Sequence, residues 1–124
     1  MTADIVFDFS RLDLPGAAPR LFAGDERIFL EGEAGSTMYL VRSGKVAIKA
    51  GGMIVDNIGP GGIFGEMSLI DGSPRSATAY AAEASEVAVI DKPTFLALVR
   101  HDPNFALLLM RMLAHRLRRT TESL

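Results

Sequence analysis

Between Gly24 and Gly72 a glycine recurs every few residues, and this stretch holds all but one of the chain's 12 glycines. A glycine inside a helix costs about 1 kcal/mol relative to alanine, so no long helix runs through it. The intervals are filled with Val, Ile, Phe and Tyr. Arg27–Leu30, Thr37–Val41, Lys45–Lys49 and Met53–Ile58 read as short strands, and Ser76–Ala81 and Glu86–Ile90 complete the set. Many short strands with regular turn signals predict a closed or double-layered antiparallel sheet. Gly51-Gly52 is a natural hairpin turn, because both positions accept positive φ without a Cβ clash. Ser43-Gly44 marks a further turn.

After Ile90 the pattern changes. Asp91-Lys92-Pro93 offers an N-cap and a first-turn proline, so Thr94–Arg100 reads as helix. Asp102-Pro103 repeats the signal, and 104–123 contains no helix breaker. A short helix over Phe7–Leu12 is also expected. The architecture is therefore mainly β with C-terminal helices: an antiparallel β-roll, or jelly roll, over about residues 20–91, then a short helix and a long one over 92–123. Within the long helix Ala106, Met110, Leu113, Leu117, Thr120 and Leu124 recur at steps of four and three, the spacing of a coiled-coil seam. Phe105, Leu108, Leu109 and Met112 form a second stripe. A helix apolar on two faces needs two partners: the roll is one, and the same helix of a second copy, giving a homodimer, is the expected other, the alternative being that both faces pack within the chain.

At 124 residues and 48% hydrophobic content, residues 1–124 form one domain. No run reaches the roughly 18 apolar residues of a membrane span, and Asp4 and Asp8 at the N-terminus do not fit a secretory signal. The absence of cysteine removes disulfides and thiolate chemistry, and a cytoplasmic location is expected. A net charge of -2 does not suggest a nucleic-acid binder. Arg111, Arg116, Arg118 and Arg119 cluster beside His115; the solvated face of a helix is the expected reading, with phosphate or anionic-partner binding as the alternative.

The chemistry lies in Gly59–Ala79. Gly65 lets the backbone approach a ligand closely and opens a single helical turn, Glu66–Ile70, whose free N–H groups suit an anion. Asp71-Gly72 stops the turn. Pro74 sets the approach to Arg75, whose guanidinium can grip two phosphate oxygens, and Ser76 adds a hydroxyl. Glu66 would repel an anion unless it faces a neutral hydroxyl. A 3′,5′-cyclic nucleotide meets both conditions, with a phosphate fused to a ribose whose 2′-hydroxyl stands beside it. Charge-assisted bonds from Arg75 and Glu66 contribute roughly 1.5–3 kcal/mol each. The bland alternative for Arg75 is a surface arginine paired with Asp71 or Glu66.

Phe64-Gly65-Glu66-Met67-Ser68-Leu69 followed by Pro74-Arg75-Ser76-Ala77-Thr78-Ala79 closely resembles the phosphate-binding cassette, here 64–79, of cyclic-nucleotide-binding domains. That family includes bacterial catabolite activator proteins, cyclic-nucleotide-gated channels and the regulatory subunits of cyclic-nucleotide-dependent kinases. The resemblance implies that Glu66 binds the ribose 2′-hydroxyl, that Arg75 neutralises the cyclic phosphate with Ser76 beside it, and that Gly65, Met67 and Ser68 line the ribose-phosphate. It implies that Val55 packs against the purine. Residues 114–122 resemble the dimer helix of catabolite activator proteins, so that Thr120 and Thr121 would touch the adenine, one of them across the dimer. The ligand so implied is cyclic AMP, with cyclic GMP as the alternative because Ser76 alone does not decide the purine.

The DNA-reading segment of the transcription-factor branch has no counterpart before Leu124, so direct DNA binding is not expected, nor is a membrane partner. A metal-binding cupin would need clustered histidines, and only His101 and His115 are present. A hydrolase built on Glu66 and Arg75 lacks a nucleophile and a second acid, so no catalytic residue and no cofactor are expected. A ligand-free interaction scaffold of the same fold is a further alternative, although such domains usually show a damaged cassette and here Gly65, Glu66, Arg75 and Ser76 are intact. The expected mechanism is a population shift: the phosphate draws Glu66–Ile70 inward, and Leu69 and Ile70 offer a new surface to Phe95 and Leu96 and to the long helix, which passes the signal to a protein effector.

Overall fold

The computed structural model describes residues 7–14 and 17–122, with side chains up to residue 119. The elements run β1 (Ala18–Phe22), β2 (Arg27–Phe29), β3 (Met38–Ser43), β4 (Val46–Ala50), β5 (Met53–Ile58), β6 (Ile63–Phe64), α1 (Glu66–Asp71), β7 (Thr78–Ala81), β8 (Ser85–Ile90), α2 (Lys92–His101) and α3 (Pro103–Glu122). Two four-stranded antiparallel sheets, in the orders β1-β8-β3-β6 and β2-β7-β4-β5, face each other. This is the β-roll followed by helices that the glycine spacing predicts.

Two cores explain the strand sequences. Tyr39, Val41, Val46, Phe64, Ala79, Ala81 and Val87 fill the space between the sheets. Met38, Leu40, Ile63, Ala88 and Ile90 point the other way, against Phe105, Leu109 and Met112 of α3. The first sheet is thus covered on both faces, so β3 begins with four successive buried apolar residues, Met38–Val41. The second sheet is covered on one face only, and its outer strand β5 is exposed over most of its length.

Gly51 and Gly52 close the β4–β5 hairpin at φ +59 and +80. Gly44 does a different job from a hairpin turn, because β3 and β4 belong to different sheets. There the chain changes layer, and a Cβ on Gly44 would lie 2.2 Å from Ser85 Oγ. Strand β1 and the two-residue β6 were not among the expected strands, and β2 ends one residue earlier than expected, leaving Leu30 outside it.

The helix expected over Phe7–Leu12 is absent. The segment makes one turn at Ser10-Arg11, with a bond from Leu12 N–H to Phe9 O of 3.1 Å. Phe9 N–H donates instead to Gly61 O at 2.7 Å, and the Phe9 ring is buried 6.0 Å from that of Phe105. Tertiary partners replace the local ladder. The helices after Ile90 start as the capping signals predict. Asp91 Oδ1 accepts from Thr94 N–H at 2.9 Å ahead of a first-turn proline, and Asp102 Oδ1 accepts from Phe105 N–H at 3.3 Å. Phe105, Leu109 and Met112 are buried on the roll, whereas Met110 and Leu117 of the seam are 59% and 68% exposed.

Candidate functional site

A cavity of about 750 Å³ opens between the second sheet, α1 and α3. Every predicted site residue whose side chain is described lines it: Val55, Gly65, Glu66, Met67, Ser68, Arg75 and Ser76. Leu113, Arg116 and Leu117 close it from the long helix. Its volume lies within the ordinary range for a small-molecule site, roughly 300–1,000 Å³. Thr120 and Thr121 belong to α3 by their backbone, and their side chains lie outside those described.

Gly65 takes φ 78 and ψ 7, a left-handed conformation that turns the chain from β6 into α1. No side chain caps the leading amides of α1 at its N-terminus. Gly72, at φ 73, ends the helix with its N–H on Ser68 O at 2.9 Å. Asp71 accepts from the Ser73 amide at 2.9 Å and from its hydroxyl. These bonds, the side-chain one foremost, hold the Asp71 carboxyl below the usual carboxylate range.

Arg75 is the most constrained group in the site. Its backbone is locked on both sides, by Arg75 N–H to Glu33 O and Gly32 N–H to Arg75 O, each 2.8 Å. Its guanidinium lies 4.2 Å from the centroid of the Phe29 ring and 5.8 Å from that of Tyr39. Nη1 donates to Gly65 O at 2.8 Å and Nη2 to Thr37 Oγ1 at 3.1 Å. Gly35 leaves room for this arrangement, since a Cβ there would come within 2.2 Å of Arg75 Nε. Only 5% of the residue is exposed, and no carboxylate among the described residues forms an ion pair with it. The alternative pairing with Asp71 or Glu66 does not occur. Burying a cation without a counter-charge is costly, and the two hydrogen bonds to Gly65 and Thr37 engage two of the five guanidinium N–H groups.

Glu66 is equally buried, at 3% exposure, and its partner is unexpected. Arg116 of α3 forms an ion pair with Glu66 Oε1, and its other nitrogen reaches Ile63 O at 3.5 Å. The sequence reading assigned Arg116 to a solvated face. The separation of 50 residues between the partners gave no local signal for the pair. Phe29, Gly35 and Thr37 were missed for the same reason. Of these, only Gly35 left a trace, as a glycine with no hairpin to explain it.

Val55 lines the cavity from β5 and is 59% exposed. A second apolar groove of about 360 Å³ lies between α1, α2 and α3, where Leu69 and Ile70 meet Phe95, Leu96 and Leu113. Ile70 and Leu113 line both spaces. Among the described residues no helix is long and apolar enough to cross a membrane, and no cluster of His, Asp or Glu could hold a metal ion.

A cavity walled by a buried arginine and by a buried glutamate on a glycine-opened turn agrees with three comparisons. The chain is 42% identical over 104 residues to the cyclic AMP receptor protein of Thermus thermophilus, covering 80% of this chain and 48% of that protein. It thus spans about half the length of that relative. A crystal structure of the Thermus thermophilus catabolite activator protein superposes with a TM-score of 0.82 at 39% identity, over 89% of this chain and 54% of the other. Part of the EAL enzyme Bd1971 is also similar, in a form with cyclic AMP bound (TM-score 0.63, 35% identity, 85% of this chain, 30% of the other). The same enzyme is known with cyclic GMP bound (TM-score 0.66, 37% identity, 86% and 30%). The family model described as the cyclic nucleotide-binding domain matches residues 19–102, and on that span this chain belongs to the cyclic nucleotide-binding domain family.

Proposed function

We propose that this domain senses cyclic AMP and relays its occupancy through α2 and α3, without catalysing a reaction. One observation carries the reading. Arg75 is buried with neutral partners only, in the wall of the cavity that also holds Glu66. In this reading the cyclic phosphate is the counter-charge for Arg75, assisted by Ser76 and the amides of Gly65, Met67 and Ser68. Glu66 accepts a hydrogen bond from the ribose 2′-hydroxyl. Val55 packs on the base, and Thr120 and Thr121 reach the adenine. The roll, about residues 20–91, receives the ligand, and residues 92–123 report it.

The relay uses surfaces that line one groove. Leu69 and Ile70 on α1 share a groove with Phe95 and Leu96 on α2 and with Leu113 on α3, so a shift of the cassette changes what the helices pack on. The exposed Met110 and Leu117 support a homodimer through α3, and the effector is a protein that reads the position of these helices. A cytoplasmic setting suits a sensor of this kind. Cyclic GMP is the second reading, favoured by the similar enzyme seen with either nucleotide bound.

Calorimetric titration with cyclic AMP and cyclic GMP tests the proposal. Saturable one-site binding is expected, tighter for cyclic AMP, and abolished in Arg75→Ala. Tighter binding of cyclic GMP would replace the first reading by the second. No heat with either nucleotide, from folded and ligand-free protein, would leave an interaction scaffold as the function.

A further inference from the structure

The cavity wall contains a carboxylate to which the nucleotide reading gives no work. Asp56 lies on β5 beside Val55, and both residues line the cavity. In a regular strand neighbouring side chains point to opposite faces, so adjacent residues do not share one wall. The register supplies the reason. Ile48 pairs with Asp56, but the next residue, Lys49, pairs with Ile54. Val55 is therefore the extra residue of a β-bulge, a device that re-aims side chains at sheet edges and beside functional sites. The bulge brings Asp56 to the same cavity as Val55.

We propose that Asp56 is a specificity-determining residue that accepts a hydrogen bond from the 6-amino group of the bound adenine. This inference rests on the cyclic AMP reading above. Asp56 Oδ1 accepts from Asn57 N–H at 2.8 Å, and Oδ2 has no donor among the described residues. Its cross-strand partner Ile48 and its neighbour Val55 line the same cavity, as do Leu113 and Leu117 of α3. An ionised carboxylate accepts hydrogen bonds and donates none. Facing the base, it selects the one edge of adenine that offers a donor, and it disfavours the ring nitrogens, which are acceptors.

The position suits the base end of the ligand. Asp56 pairs with Ile48, and Ile48 pairs with Ala79 on β7, the strand that follows Arg75. Adjacent strands are about 4.8 Å apart, so Asp56 stands two strands away from β7, a separation on the scale of a nucleoside. The phosphate-binding and base-reading groups thus enter from different strands. Asp56 is exposed in this structure, so its replacement leaves no buried defect.

The experiment compares cyclic AMP with purine-riboside 3′,5′-cyclic phosphate, in which hydrogen replaces the 6-amino group. Both are titrated calorimetrically into the full chain and into Asp56→Ala. The wild type is expected to prefer cyclic AMP by about tenfold. Asp56→Ala is expected to bind the two alike, having lost affinity for cyclic AMP alone, and Asp56→Asn, which keeps one acceptor oxygen, to fall between. Equal affinities in the wild type, or a preference that survives in Asp56→Ala, would overturn the assignment while leaving the cyclic AMP reading standing. If Asp56→Ala weakens cyclic GMP and not cyclic AMP, the carboxylate reads guanine N–H groups and the 6-amino assignment is wrong. Failure of both adenine-like nucleotides to bind at all removes the cyclic AMP reading and this inference with it.

Discussion

Arg75 and Glu66 are buried to almost the same degree in the wall of one cavity, yet different parts of the chain hold them. Arg75 belongs wholly to the roll. Its ring contacts come from β2 and β3, its hydrogen bonds from Thr37 and Gly65, and none of these partners lies on a helix after β8. Glu66 is tied by Arg116 to the long helix. In the proposed function the arginine is thus prepared for the phosphate before the ligand arrives, while the glutamate is shared with the helix proposed to carry the signal. Preorganisation favours affinity because little ordering remains to be done on binding. A shared group favours coupling, since whatever changes the environment of Glu66 is felt by α3.

The comparison is broken most severely by Arg75→Lys. Lysine keeps the charge but loses the planar fork and the stacking on Phe29, so affinity for cyclic AMP should fall by about a hundredfold, as measured by calorimetry. A loss of less than threefold would mean that charge alone matters there.

Arg116→Ala attacks the other side. It strands a carboxylate that is 3% exposed without its cation, although the 36% exposure of the Arg116 side chain limits the cost. A loss of about 1–2 kcal/mol in unfolding free energy is expected from denaturant titration. Glu66→Gln with Arg116→Ala should lose less than the sum of the two single changes. Strict additivity would show that the pair does not couple roll and helix.

Thr37→Val is the smallest and most pointed of the three. It deletes one of the two hydrogen bonds that hold the Arg75 guanidinium and leaves the ring contacts in place. Affinity should drop about fivefold with little change in thermal midpoint. An unchanged affinity would show that Phe29 and Gly65 suffice to aim the arginine.

The same contrast explains what could be read in advance. Strands between glycines, the double-glycine hairpin and the two N-capped helices follow from local rules, and each lies within a residue or two of its expected place. Strands β1 and β6 were missed for different reasons. Ala18–Phe22 contains a proline and exposes most of its residues, so it lacks the apolar run of a buried strand, and its pairing with β8 makes it a strand. Ile63-Phe64 is too short for any pattern and exists because Tyr39 and Leu40 pair with it. Phe7–Leu12 carries a helix-compatible sequence but takes its bonds from Gly61 and its packing from Phe105.

What the sequence determined by itself was the set of elements and the residues of the cassette, because glycine conformational freedom, capping and a short motif act over a few residues. Which groups buttress that cassette was decided by the tertiary structure. Thr37 meets Arg75 across 38 residues, Arg116 meets Glu66 across 50, and the pairing of β4 with β5 makes Val55 a bulge that brings Asp56 to the cavity. Those contacts depend on how two sheets and a long helix close on one another, and no local pattern records that closure.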